Sequence, residues 1–247
     1  MSFAPYRFPL TSGERRLRLI CTAAAQIVVV VILTVLLSRR EYTHIPVCIG
    51  SFFLVLLPMA VENLLVVKMH PAMFVFAQLY SLAPIVGEGC KLYYITNWWD
   101  KFLHAVGGVA FVLVGVYLFQ LLLGADKKWL CAVVFAFCFS VAVSALWEFA
   151  EYGCDLLLGM DMQNDTVITG FHSYYLGAAP GLRGELSDIR EVLVNGQPLP
   201  VAGYLDIGLH DTMQDMLVET LGALAASVFL WLDKGRHKPF LPQKRGK

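Results

Sequence analysis

Six stretches of the chain are apolar for long enough to cross a bilayer, and polar residues gather between them or at their ends. The stretches cover about 19–38, 45–67, 72–90, 101–124, 129–157 and 210–232. A hydrocarbon core of about 30 Å needs roughly 20 apolar residues rising 1.5 Å each. In lipid, only a helix among single segments satisfies its own backbone. The pattern predicts an all-α, polytopic transmembrane bundle of about six spans. The third span is the least apolar, carrying Gln78, Pro84 and Glu88. The fourth carries Gly107-Gly108, small residues that let helices approach closely.

The interval 158–209 is too long for a plain connector and predicts an extramembrane loop insert. Within it, Asn195-Gly196 sits between short apolar runs and predicts a hairpin, with Pro198 and Pro200 confining the second strand to an edge. Asn164-Asp165-Thr166 matches a short glycosylation sequon. The resulting organisation is spans one to five with a basic tail over 1–157, the insert 158–209, the last span 210–232 and a basic tail 233–247.

Basic residues set the expected orientation. Arg7, Arg15, Arg16 and Arg18 precede the first span, and Lys234, Arg236, Lys238, Lys244, Arg245 and Lys247 follow the last. An even number of spans puts both ends on the cytoplasmic side. Lys127-Lys128 agrees with this orientation and Arg39-Arg40 opposes it. The basic start resembles a signal peptide, but the run Leu19 to Ser38 is too long for a signal core and reads as an uncleaved span. The insert is acidic, with Asp161, Asp165, Glu185, Asp188, Glu191 and Asp206 against Arg183 and Arg190, as suits an exoplasmic segment.

Three polar clusters change the picture from a plain bundle to one with a site. Asp100 and His104 open the fourth span, Glu148, Glu151 and Asp155 close the fifth, and Asp211, Asp215 and Glu219 open the sixth. Start, end and start of consecutive spans fall on one side of the membrane. Spacings of three and four put each set on one helix face. An ionisable group at a span centre costs about 2.5–3.5 kcal/mol, so a concentration of them marks a site.

Carboxylates with a histidine suit a divalent cation: magnesium, calcium, manganese, zinc or iron. The candidate ligands are Asp100, His104, Glu148, Glu151, Asp211, Asp215 and Glu219, and the candidate catalytic groups are His104, Glu151 and Asp155. The alternative is an ion-pair network that fixes the bundle, with Lys101, Lys91 or Arg183 as partners, or a proton-sharing or lipid-headgroup site without metal. His172 and His210 read as solvated loop or rim residues, and Trp98, Trp99 and Trp147 as interface anchors. Glu62 lies on the other half of the membrane and reads as snorkelling or pairing with Lys68.

Composition agrees with a membrane protein: 57% of residues are hydrophobic and 15% charged, against about 45–50% and about 25% in soluble domains. A net charge of zero gives no footprint for nucleic acid. The six cysteines form no C-x-x-C pair, and most read as small hydrophobes inside spans. Cys90 and Cys154 fall near the polar side, with nothing in the sequence to join them.

The motif order resembles that of the VanZ-like membrane proteins. Asp100-Lys101 with His104, a glutamate late in the next span, and Asp215 followed by Thr220-Leu221-Gly222-Ala223 are similar to their Asp-Lys-x-x-His, Glu-x-x-Gln and Asp-x-x-x-Asn-Thr-Leu-Gly-Ala segments. Trp147-Glu148-Phe149-Ala150-Glu151 and Asp211-Thr212-Met213-Gln214-Asp215-Met216 more closely resemble the YjdF-like bacterial inner-membrane proteins. The resemblance covers about residues 90–232. It implies a multi-pass inner-membrane protein, with the VanZ-like side linked to glycopeptide resistance at the cell envelope, and carries over no activity. Glu151 and Glu219 stand where the VanZ-like pattern has glutamine and asparagine, making this site more acidic.

Three functions are compatible with these features. The first is a metal-dependent hydrolase or transferase acting on a lipid-linked or envelope substrate, with 158–209 as its lid. The second is an ion-coupled transporter, for which Glu62 and Glu219 are the only candidates for a path and which lacks an internal repeat. The third is an envelope factor that binds a partner or headgroup through a structural network. Membrane lipids are partners in all three.

Overall fold

The computed structural model describes residues 10–64, 68–96, 98–123 and 128–233. The outer parts of both basic tails (1–9 and 234–247), Lys127 and the 65–67 end of the second expected span lie outside the described residues. The helices are α1 (Ser12–Ser38), α2 (Ile45–Leu64), α3 (Pro71–Gly89), the single turn α4 (Leu92–Ile95), α5 (Trp99–Leu123), α6 (Trp129–Leu158) and α7 (Leu209–Asp233). Among the described residues, all but α4 are long and apolar enough to cross a membrane. The polytopic bundle expected from the apolar pattern is what the chain forms.

Helix α1 begins seven residues before the expected span, because Thr11 and Glu14 form a reciprocal capping box. Arg15, Arg16 and Arg18 are therefore helical rather than part of a tail, and Arg18 is buried. Helix α3 runs through Pro84, and the polar side chain that weakened its signal is engaged: Gln78 Nε2 donates to Thr22 Oγ1 and to the Val55 carbonyl.

The spans form two groups of three. Helices α1, α2 and α3 pack together around Ala25, Val29, Leu36, Cys48, Val55 and Ile85. Helices α5, α6 and α7 form the tighter group around Val112, Val116, Ala136, Ala223 and Ala226. Gly108 lies against the backbone of Glu219 and Ala223, Gly222 against the Ala105 carbonyl and Gly115 against Ala136, so no side chain separates these helices there. The groups meet through α3, where Tyr80 donates to the Leu103 carbonyl at 3.1 Å and its hydroxyl occupies the space beside Gly107.

The insert carries three antiparallel two-stranded sheets: β1 (Thr166–Ile168) with β6 (Tyr204–Asp206), β2 (Phe171–Ser173) with β3 (Gly184–Leu186), and β4 (Leu193–Val194) with β5 (Gln197–Pro198). The last is the expected hairpin. Asn195 and Gly196 both take positive φ, 53° and 79°, as a two-residue primed turn requires. Each of its strands is only two residues long, since Pro198 ends the donor series.

Candidate functional site

The two deepest carboxylates, Glu148 and Glu219, lie ten residues from the nearer ends of α6 and α7. At 1.5 Å per residue this is about 15 Å along each helix, half of a hydrocarbon core of about 30 Å. The periodicity explains the convergence. Ser140, Ser144, Glu148 and Glu151 form the buried face of α6, and Asp211, Asp215, Glu219 and Ala223 that of α7. The N-terminal turns of α5 bring Asp100 and His104 between them. The structure thus gathers Asp100, His104, Glu148, Glu151, Asp211, Asp215 and Glu219 in one place.

His104 is the hub. Its Nδ1 lies 3.3 Å from Glu219 Oε2 and 3.9 Å from Glu148 Oε1, and its Nε2 lies 3.8 Å from Asp100 Oδ1 and 3.9 Å from Asp215 Oδ1. Two sets, Asp100 with His104 and Asp215, and His104 with Glu148 and Glu151, each present ligand atoms within 4.8 Å of one another. Lys101 stands on the first side. Its Nζ lies 2.5 Å from Asp211 Oδ1, 2.9 Å from Asp215 Oδ2 and 3.7 Å from Asp100 Oδ2.

The second side is less well compensated. Glu148 is 3% exposed and neither of its carboxylate oxygens has a hydrogen-bond partner. The Thr212 hydroxyl is close by but outside hydrogen-bond geometry. Glu219 Oε1 is also buried without a partner. Glu151 accepts from Trp147 Nε1 at 2.8 Å, a role beyond that of interface anchor for this indole. A buried ionised oxygen without a donor is strongly unfavourable, so Glu148 faces a place that a positive charge would fill.

Asp155 and Asp211 have a further task. Asp155 accepts from the backbone N–H of Met162 and Gln163 at 2.6 and 2.9 Å, and Asp211 Oδ2 accepts from Asn164 N–H at 2.9 Å. Together they strap the start of the insert across the end of the cluster. Asp155 lies outside both ligand sets. Of the other expected partners, Lys91 is engaged with Glu41 at 3.2 Å. His210 is exposed and its backbone N–H donates to Asp206, and His172 is exposed in β2.

Glu62 neither snorkels to the surface nor pairs with Lys68. Lys68 pairs with Glu14 at 2.8 Å, and Glu62 pairs with Arg18, whose fork matches both of its oxygens. Two residues at the cluster's edge went unnoticed in the sequence. Tyr80 bridges the helix groups, and Tyr93 packs with Trp99 into the space left by Gly87. Burial first, then the carboxylates of Asp100, Glu88 and Glu151, push the Tyr93 phenol well above its ordinary pKa. Their only sequence signal was a pair of unremarkable tyrosines. Cys90 and Cys154 are free thiols.

The family model described as predicted membrane protein (DUF2238), the family of the YjdF-like proteins, matches residues 20–236. The chain belongs to that family. No curated protein and no solved structure matches it.

Proposed function

We infer that this member of the family is a divalent-cation-dependent hydrolase or transferase of the cell membrane, acting at the exoplasmic face on a lipid-linked envelope substrate. One observation carries the reading: Glu148, buried, with two unpartnered carboxylate oxygens beside His104. With it, six carboxylates face Lys101 and one imidazole as the only positive groups among the described residues, so cations or shared protons must offset the excess charge. A bound cation supplies Lewis acidity and an activated water. Glu151, held by Trp147, would help to seat that cation beside Glu148 and His104. Asp155 positions the insert rather than the reacting atoms.

The surroundings favour an amphipathic substrate. The cluster's most exposed side chains are those of Asp100 and Lys101, next to the exposed apolar surfaces of Trp98 and Phe102. Aromatic side chains of this kind belong at the membrane–water boundary. The resemblance in motif order to the VanZ-like proteins supports a place in the inner membrane at the cell envelope, and the basic residues at both ends of an even number of spans support cytoplasmic termini. The close packing at Gly108, Gly222 and Gly115, with the apolar core beyond it, argues against a transport path continuing through α5–α7.

The test is elemental analysis of the detergent-purified protein beside Glu148→Gln. A divalent metal near stoichiometry, lost in the variant, supports the reading. Its absence from both, with the variant less thermostable than wild type, sinks it in favour of a proton-sharing structural network.

A further inference from the structure

We propose that the site holds a single divalent cation, seated by Glu148, Glu151 and Nδ1 of His104 with Glu219 beside them, and that Lys101 takes the place of a second cation between Asp100, Asp211 and Asp215. This rests on the cation-dependent reading above and specifies its metal-binding chemistry. The carboxylates alone resemble a two-metal site, with helix-borne acids on several faces of a bundle. Three observations divide them unequally.

The first is the histidine. Both ligand sets run through His104. A neutral imidazole offers one lone pair, and its other nitrogen carries a proton. One set can therefore use His104 as a ligand, while the other is faced by an N–H. The second is Lys101, whose ammonium is already 2.5 Å from Asp211 and 2.9 Å from Asp215, with Asp100 at 3.7 Å. The Nε2 side thus has its positive charge built into the chain. The third is Glu148, on the Nδ1 side, 97% buried and accepting no hydrogen bond at either oxygen. Glu219 Oε1 on the same side is also unpartnered. The unmet demand for a cation lies where Lys101 does not reach.

On this division, Nδ1 ligates the cation and the Nε2–H faces Asp100 and Asp215, at 3.8 and 3.9 Å. Asp211 joins Lys101 to the strap of the insert, through Asn164, rather than joining the metal.

The experiment is Mn(II) binding to the full chain in detergent, read by elemental stoichiometry and electron paramagnetic resonance. Wild type is expected to bind one equivalent with the six-line signal of an isolated ion. Lys101→Met is expected to bind two, with the broadened signal of a coupled pair, and Lys101→Arg to stay at one. Should Lys101→Met not fold, two variants that keep Lys101 decide the matter. Glu148→Gln should weaken binding more than about 100-fold, whereas Asp211→Asn should stay within the roughly 10–100-fold cost of a supporting group and keep one equivalent. Two equivalents in wild type overturn the proposal while leaving the cation-dependent reading intact. So does one equivalent in a folded Lys101→Met, or loss of the ion in Asp211→Asn but not in Glu148→Gln. No Mn(II), and no other divalent metal by elemental analysis, in folded wild type overturns both.

Discussion

Among the described residues charge is buried in two places, and the two are built on opposite plans. In the α1–α3 group, Arg18 and Glu62 are matched one to one. Nε donates to Oε2 at 2.5 Å and Nη2 to Oε1 at 2.7 Å, while the Met69 backbone supplies both a donor to Glu62 and an acceptor for Arg18. Nη1 donates to the Glu14 carbonyl, and the guanidinium lies over Phe74 at 5.0 Å. Every carboxylate oxygen has a donor and the charges sum to zero. In the α5–α7 group, six carboxylates meet one ammonium and one imidazole, and Glu148, with the Thr212 hydroxyl close by, accepts no hydrogen bond. A closed pair fastens helices. An open, acid-rich set has capacity left for something that is not part of the chain.

The largest expected effect comes from breaking the closed pair. Glu62→Ala leaves Arg18 buried without its partner and should destabilise by about 3–5 kcal/mol, visible as a large fall in detergent melting temperature. The double replacement Arg18→Met with Glu62→Leu removes both charges and should recover most of that loss. Melting of the single variant within a degree or two of wild type would show that the pair is not the fastening it resembles.

Glu148→Gln should behave in the opposite way. Removing a partnerless charge should leave metal-free stability unchanged or raised. It should abolish the stabilisation conferred by a divalent cation, which reaches about 2.7 kcal/mol at one hundred times the dissociation constant. A metal-free Glu148→Gln that melts far below wild type would make the two centres alike and remove the contrast.

Gly108→Ala tests the floor beneath the open site. A methyl group there meets the backbone of Glu219 and Ala223, and forcing the helices apart should cost about 1–3 kcal/mol. Because Glu219 moves with α7, cation affinity should fall as well. Gly13→Ala, with open space around it, is the control.

The architecture was legible because span length and apolar composition are local properties. Each expected span matched a helix, and the three polar clusters lay at the predicted start, end and start. The shared face of Glu148 and Glu151, and that of Asp211, Asp215 and Glu219, follow from helical spacing alone. What the sequence did not show was partner choice. Arg18 read as one of several tail arginines, because nothing local shows that Glu62 lies across from it. Asp155 read as a third member of an acidic stripe, because its use in holding Met162 and Gln163 depends on how the insert turns back. Tyr80 and Tyr93 reach the cluster only because α3 and α4 pack beside α5. Such pairings are set by tertiary geometry, which spacing along one helix cannot supply.

The smallest effect tests how far the excess negative charge extends into the insert. Asp161 lies just beyond α6 and outside the spans. Partial burial first, then Asp165, Asp155 and Asp211, hold its carboxyl above the ordinary aspartate value. A folded-state value above the unfolded one favours the protonated form in the fold. The stabilisation is complete below the unfolded value of about 3.9 and is lost as pH rises through the folded value. Asp161→Asn, which cannot ionise, should therefore melt slightly above wild type at neutral pH and approach it near pH 4. Its exposure and solvent screening keep the difference small. In 1 M salt, where the screening length is about 3 Å, the part contributed by Asp165, Asp155 and Asp211 should vanish, leaving the part due to burial. A difference that persists in salt and does not change with pH would mean that the variant acts through local packing, and that the insert lies beyond the electrostatic reach of the site.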